Sequence, residues 1–363
     1  VPFFFLAKDK IGAWAARLAE EYAVFFPGVI ENRVHFHKLN LTSEGSDVTQ
    51  PAWALDRIRA VEPVKAFLFS ARETVVSFPS RDSGAKARKQ IIFGAKNCDL
   101  MPLKVHQKML LEREFVDPFY KQRLAATVIV SADCPKPEKS CFCNLLGLTP
   151  YPEDGGDINL STLEDGFLVE PLSVIGRELV FGRDKPFRPA TDVEVDERDR
   201  LRRDAVVQLK EINPKPWRKD LPDAIEQQKD EKFWRDAGRD CVECYGCLMT
   251  CPTCFCYLLY DQASGRVMSD SSDVSDASDI PSDRPDISFD RVKVWDACYY
   301  QGYARVGGGA NQRPKMWERF RNRFHCKWMN CTRDWSFHSC SGCGRCWVGC
   351  MGKIDIRNIL GQV

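Results

Sequence analysis

Eight cysteines fall in two runs of the same spacing, Cys241-Val-Glu-Cys244-Tyr-Gly-Cys247-Leu-Met-Thr-Cys251 and Cys340-Ser-Gly-Cys343-Gly-Arg-Cys346-Trp-Val-Gly-Cys350, each reading C-x2-C-x2-C-x3-C. Three thiolates at such intervals let one tight loop reach three corners of an iron–sulfur cube. The fourth, a helical turn further on, faces away from that cube and toward a second one. The spacing therefore assigns Cys241, Cys244, Cys247 and Cys350 to one [4Fe-4S] cluster, and Cys340, Cys343, Cys346 and Cys251 to another. Structural zinc also uses C-x2-C pairs, but four ligands complete a zinc site. A doubled four-cysteine run, with Pro252 after the first, would then have no purpose. Cubes of this kind pass single electrons with little change of shape, so the expected chemistry is electron transfer.

Further cysteines stand outside these cassettes. Cys98 lies in Gly94-Ala-Lys-Asn-Cys98-Asp99, Cys134 precedes Pro135, and Cys141-Phe-Cys143 follows closely. Cys98 and Cys134 come just after strand-like runs, where loops gather and sites form. Two readings stand side by side: a third cluster, or buried free thiols packing as small hydrophobes. Cys254 and Cys256 follow Pro252 at once and blur which residue crosses over; Cys251 keeps that role through its x3 spacing and the proline after it. Together with Cys298 in Trp295-Asp-Ala-Cys298, they are possible extra ligands.

The elements that must position these thiols can be read coarsely. Residues 9–26 place Ile11, Trp14, Leu18 and Tyr22 at three- and four-residue steps, which predicts a helix ending near Pro27. Residues 33–39 alternate as a strand with His35 and His37 on one face, read as solvent-facing histidines rather than a two-histidine metal site. Strand-like runs follow at 66–70, 74–78, 90–94 and 126–131, with helical spacing over 100–111. Residues 151–185 suggest a polar hairpin region, and 190–240 a mixed-charge helical segment broken by Pro214, Pro216 and Pro222. Phe233-Trp234 is expected either to close the first cluster's cage against water or to pack as plain core. Residues 311–328 set Met316, Phe320, Phe324 and Trp328 at steps of four. Arg319, Arg321, Arg323 and Lys327 stand around them, either as a solvated basic face or as a positive surface beside the clusters.

The fold expected is α+β. A mixed α/β domain spans 1–200. A bacterial two-[4Fe-4S] ferredoxin-like domain spans 201–363, with a long acidic insertion at 262–290 whose 269–283 segment is of low complexity. With 52 Lys+Arg against 51 Asp+Glu, the charge balance speaks against a nucleic-acid partner. The apolar opening, Val1 to Ala7, is too short for a membrane span and lacks a basic leader, so a cytoplasmic location is expected. With no initiator Met, the natural start is expected to have been trimmed or left out. No G-x-G-x-x-G follows a strand, and Gly307-Gly-Gly309 reads as a flexible turn.

The ordered set of Gly94-Ala-Lys-Asn-Cys98-Asp99-Leu100, Asp117-Pro-Phe-Tyr-Lys-Gln-Arg123, Cys134-Pro, Cys141-Phe-Cys143, the first cassette with its Pro-Thr-Cys-Phe-Cys tail, Trp295-Asp-Ala-Cys298, Glu318-Arg-Phe-Arg-Asn-Arg323 and the second cassette followed by Ile354-Asp-Ile356 resembles a known family. That family comprises the iron–sulfur beta subunit of sulfhydrogenase-type nickel–iron hydrogenases and the corresponding iron–sulfur subunit of anaerobic sulfite reductase. The resemblance covers most of the chain. It departs at Met351, where the family has Pro, and in the acidic insertion. It implies an electron-transfer subunit between a partner binding FAD and NAD(P) and a catalytic partner such as a hydrogenase or sulfite reductase subunit. It also implies that Cys98, Cys134, Cys141 and Cys143 ligate a third [4Fe-4S] cluster. No catalytic residue is expected in this chain. Two rival classes are a catalytic reductase with an open iron near Cys254, Cys256 or Cys298, and a binding module whose clusters are structural.

Overall fold

The computed structural model describes residues 2–40, 51–78, 87–181, 185–263 and 289–363. The acidic segment 269–283 lies outside the described residues.

Nine strands of the N-terminal half are β1 (Phe4–Ala7), β2 (Ala23–Ile30), β3 (Arg33–Lys38), β4 (Arg72–Phe78), β5 (Gln90–Ala95), β6 (Thr127–Ala132), β7 (Ile158–Thr162), β8 (Gly166–Pro171) and β9 (Phe187–Pro189). All but β4 form one eight-stranded sheet in the order β3-β2-β5-β6-β7-β8-β1-β9. Its centre, β2-β5-β6-β7, is parallel and its flanks are antiparallel, so the sheet is mixed, as expected. The central strands read as unbroken apolar runs because both faces are covered. Ile91 and Phe93 pack with Trp14 on one side, while Ile92 and Ala95 pack with Leu100 and Leu103 of the helix Asn97–Leu110 on the other.

The remaining strands, β10 (Tyr257–Ala263) and β11 (Phe289–Trp295), form a second sheet in the order β10-β11-β4. It straddles the division expected near residue 200, since β4 from the first half pairs with β11 from the second. The buried Lys293 of β11 is held between Glu73 and Asp117, both of the first half, at 2.5 Å from each. The long helix Asp192–Ile212 joins the halves and starts with a capping box between Thr191 and Glu194.

Several sequence expectations change. The helix expected over 9–26 stops after Leu18, and β2 runs straight through Pro27. Val24 and Phe26 are drawn into the core beside β5, and parallel pairing with β5 ends at Phe25, before proline's missing N–H matters. Residues 66–68 of the strand expected over 66–70 lie in the short helix Lys65–Leu68, started by a turn at Pro63, and Phe69 is already extended. The helix expected over 311–328 spans Met316–Phe324 and widens into a π-helical turn, His325–Asn330. His35 is not free in solvent; its ring nitrogen meets Glu62 at 2.7 Å.

Candidate iron–sulfur centres

The two cassettes repeat one backbone. In the first, Glu243 (φ 52) and Tyr245 (φ 60) are left-handed and lead into the turn of helix Gly246–Met249. In the second, Gly342 (φ 64) and Gly344 (φ 72) do the same ahead of Arg345–Val348. Alternating handedness is what points successive C-x2-C thiols to a common side. Left-handed Glu243 and Tyr245 cost about 1–2 kcal/mol each. The surroundings hold them there. Arg319 donates to the Glu243 carboxylate at 2.7 Å, and the Tyr245 ring packs edge-on against Tyr300 at 4.4 Å.

In the second cassette the same positions must be glycine. A Cβ on Gly342 would stand 2.5 Å from the Cys143 nitrogen, and one on Gly344 would stand 2.1 Å from the Ser140 carbonyl oxygen. Phe142 N–H donates to the Gly342 carbonyl at 2.9 Å. The second cassette is thus seated backbone to backbone on the N-terminal cysteine loop.

Cys241, Cys244, Cys247 and Cys350 ring a hollow of about 440 Å³, its mouth included, closed behind by Tyr299 and Arg323. Cys350 and Cys346 of the other cassette line the same hollow. Cys244 is exposed, so this centre opens to solvent. The second group is interior: Cys251, Cys340, Cys343 and Cys346 are all buried. Cys251 lies within electrostatic reach of both Cys340 and Cys346, and Cys343 of Cys346. Cys98, Cys134, Cys141 and Cys143 line a second hollow, together with Cys343. Cys98 and Cys134 sit just past the carboxyl ends of the adjacent parallel strands β5 and β6, where parallel sheets place their ligands. Among the described residues no three His, Cys, Asp or Glu side chains close on a point as a single ion would need; the thiols stand around hollows.

Burial pushes the Cys134 thiol up to about 12 and the Cys346 thiol up to about 11. As bare thiols they would stay protonated and unreactive at neutral pH; metal binding is what removes such protons. Cys251 is the exception. The hydrogen bond between Cys254 and Cys251, followed by the charges of Lys327 and Arg323, holds it well below the usual thiol range despite its burial.

What the sequence reading missed is a set of buried cations. Arg59, Lys65, Lys96, Arg319, Arg323, Lys327 and Arg345 are each under 7% exposed. Of the two readings of Arg319, Arg323 and Lys327, the solvated basic face does not hold: all three are buried, and Arg323 and Lys327 lie beside the cysteines. Arg323 lies among Cys247, Cys251 and Cys346, with its Nε unpartnered, and Lys327 Nζ stands 3.3 Å from Cys251 Sγ. Lys96 Nζ is held by the carbonyls of Leu55 and Asp133 at 2.7 and 2.8 Å, within reach of Cys134 and Cys98. Arg345 pairs with Asp99 at 2.8 Å beside Cys98 and Cys343. Among the described residues, Arg59, Lys65, Lys96, Arg323 and Lys327 have no carboxylate ion pair. Buried cations of this kind fit anionic, thiolate-bound cubes, whose charge they offset. The only sequence signal was weak: Arg323 and Lys327 are four apart, in step with Phe320, Phe324 and Trp328. Trp234 packs in the core against Phe324 and does not line the first hollow.

Asp133 anchors the Cys134 turn. Its carboxylate accepts bonds from Asn159 at 3.0 Å, Ser161 at 2.7 Å, and Arg202 at 2.7 and 3.1 Å. Removing one member of a buried pair leaves the other unpaired, so Asp133→Ala is expected to cost about 3–5 kcal/mol. Urea denaturation of the purified protein, read by circular dichroism, checks this.

Residues 240–354 match the 4Fe-4S dicluster domain family. That match supports iron–sulfur clusters in this part of the chain. The whole chain is similar to sulfhydrogenase 2 subunit beta of Pyrococcus furiosus, with 28% identity over 350 residues covering 96% of this chain and 94% of the relative. The motif-based resemblance is borne out. Among the described residues no helix is long and apolar enough to cross a membrane.

Proposed function

We propose that this chain is the iron–sulfur electron-transfer subunit of a hydrogenase-type complex, passing single electrons between a partner that binds FAD and NAD(P) and a catalytic partner. The observation that carries this reading is the placement of the thiol groups. The first cassette's hollow opens at the surface, the second cassette's thiols are buried behind it, and Cys343 lines the N-terminal hollow as well. A cluster at each would form a path through the protein. The ligands of this reading are Cys241, Cys244, Cys247 and Cys350; Cys340, Cys343, Cys346 and Cys251; and Cys98, Cys134, Cys141 and Cys143.

[4Fe-4S] clusters, when bound, supply one-electron chemistry at low potential. The chain's own residues do the rest. Tyr299 and Arg323 back the first hollow, Lys327 and Arg323 bring positive charge to Cys251, and Gly342 and Gly344 let two loops approach without side chains between them. The division near residue 200, an α/β half carrying the third thiol group followed by a two-cluster ferredoxin-like half, and the cytoplasmic location belong to the same proposal.

The test is iron and acid-labile sulfide per chain, on protein purified without oxygen, with electron paramagnetic resonance of the reduced state. Cys98→Ser/Cys141→Ser is expected to lose about four iron relative to the wild type, at four per cube, with the cassette signals retained. An unchanged iron content would return the N-terminal four to packed thiols.

A further inference from the structure

The cysteines left over by these three groups, Cys254, Cys256, Cys298, Cys326 and Cys331, come from three separate segments and meet beside Cys251. Cys254 and Cys256 lie at the foot of β10. β11 returns to the same foot: Trp295 pairs with Tyr257, and Asp296 N–H donates to the Cys256 carbonyl at 3.0 Å, which brings Cys298 back. Cys326 and Lys327 lie in the π-helical turn His325–Asn330, a widening that recurs at functional sites. Cys256, Cys298 and Cys326 are each within electrostatic reach of the other two, and Cys254 bonds to Cys251.

Two independent observations point to an anionic ligand here. The first is charge. Lys65 and Lys327 are each 3% exposed, and among the described residues neither has a carboxylate partner. Lys65 Nζ bonds the Cys254 carbonyl at 3.0 Å and lies 4.3 Å over the Trp295 ring, with Cys254, Cys251 and Cys256 as its charge partners. Lys327 bonds Cys251 Sγ, Thr253 Oγ1 at 2.7 Å and the Ser339 carbonyl at 3.2 Å, with Cys254 and Cys326 close by. Burying an ammonium without a counter-charge costs several kcal/mol. The second observation is the ligand pattern. Cys254-Phe-Cys256 with Cys298 and Cys326 repeats the composition of Cys141-Phe-Cys143 with Cys98 and Cys134: one C-F-C pair and two single thiols delivered by other elements.

We infer that Cys254, Cys256, Cys298 and Cys326 bind a further iron–sulfur cluster, adjacent to the one assigned to Cys251 and the second cassette. Cys331, hydrogen-bonded to Cys326, stands behind it without ligating. The site makes the second cassette's cluster a junction with three neighbours. This use as a branch rests on the relay reading, whereas the existence of the site does not.

Oxygen-free wild type, Cys256→Ser/Cys298→Ser and Cys98→Ser/Cys141→Ser are compared for iron, zinc, acid-labile sulfide and Mössbauer spectra. The first variant is expected to lose about four iron and four sulfide, independently of the loss at the N-terminal site. Unchanged iron would overturn the inference, as would one zinc lost in place of iron or a Cys326–Cys331 disulfide at full iron content. Iron lost only from Cys98→Ser/Cys141→Ser would sink this site and leave the relay reading standing. Should the variant fail to fold, wild-type protein is alkylated with iodoacetamide before and after oxidative cluster removal. Protection of Cys256 and Cys298 until iron is stripped is expected; their labelling in the intact, iron-replete protein would overturn the site.

Discussion

Gly344→Ala is expected to unseat two centres at once. The left-handed conformation costs a non-glycine residue about 1–2 kcal/mol, and the new Cβ, 2.1 Å from the Ser140 carbonyl oxygen, adds an overpacking cost of about 1–3 kcal/mol. The clash is with backbone, so no rotamer change relieves it. The Ser140–Cys143 loop must move, and it carries Cys141 and Cys143 while Gly344 itself separates Cys343 from the helix that begins at Arg345. Iron should therefore fall for the second cassette and the N-terminal group together, with a denaturation midpoint lowered to match. Gly246→Ala is the control. It occupies a helical position whose nearest neighbour to a Cβ is 3.8 Å away, and alanine suits a helix better than glycine by about 1 kcal/mol. Full iron and an unshifted midpoint for Gly344→Ala would mean that the two loops are not in contact.

Lys327→Met is expected to make the centre at Cys251 harder to reduce. An added electron increases the negative charge, so taking away the ammonium 3.3 Å from Cys251 Sγ destabilises the reduced state more than the oxidised one. At about 5 Å from the centre of charge and an effective dielectric constant of about 20, one unit charge is worth about 3 kcal/mol. For a one-electron couple that is a fall in potential on the order of 100 mV. Lys327→Arg should keep most of the potential, because it keeps the charge. A redox titration followed by electron paramagnetic resonance measures both. A shift below about 20 mV in the methionine variant would show that the ammonium does not face that centre.

Legibility differed from residue to residue for identifiable reasons. The cassette cysteines could be assigned from spacing because the ligand geometry of a cube is local: three thiols within seven residues span three corners, whatever surrounds them. The central strands were legible because a sheet covered on both faces selects unbroken apolar runs such as Gln90-Ile-Ile-Phe-Gly. The helix expected to reach Pro27 was misread because Tyr22 continues the helical period by coincidence, while long-range pairing with β5 claims Ala23–Phe25. For the basic residues around 319–327 two readings stayed open, because a side chain's charge, taken along one helix, does not say which face is covered. Here Cys247, Cys251, Cys346 and the core around Phe324 cover the charged face as well as the apolar one.

By itself, the sequence determined the iron–sulfur character of the second half, the two cassettes and the mixed α/β character of the first half. All of these rest on short-range spacing and strand or helix period. Tertiary structure alone decided that Cys98 and Cys134, 36 residues apart in the chain, share a hollow with Cys141 and Cys143, and that this hollow abuts Cys343. It also decided that Arg323, Lys327 and Lys96 are buried beside thiols, and that Cys298 and Cys326 reach the foot of β10. The physical reason is the same in each case. Strand pairing, backbone packing at Gly342 and Gly344, and the cost of leaving a buried charge uncompensated act between segments distant in sequence, and no local pattern encodes them.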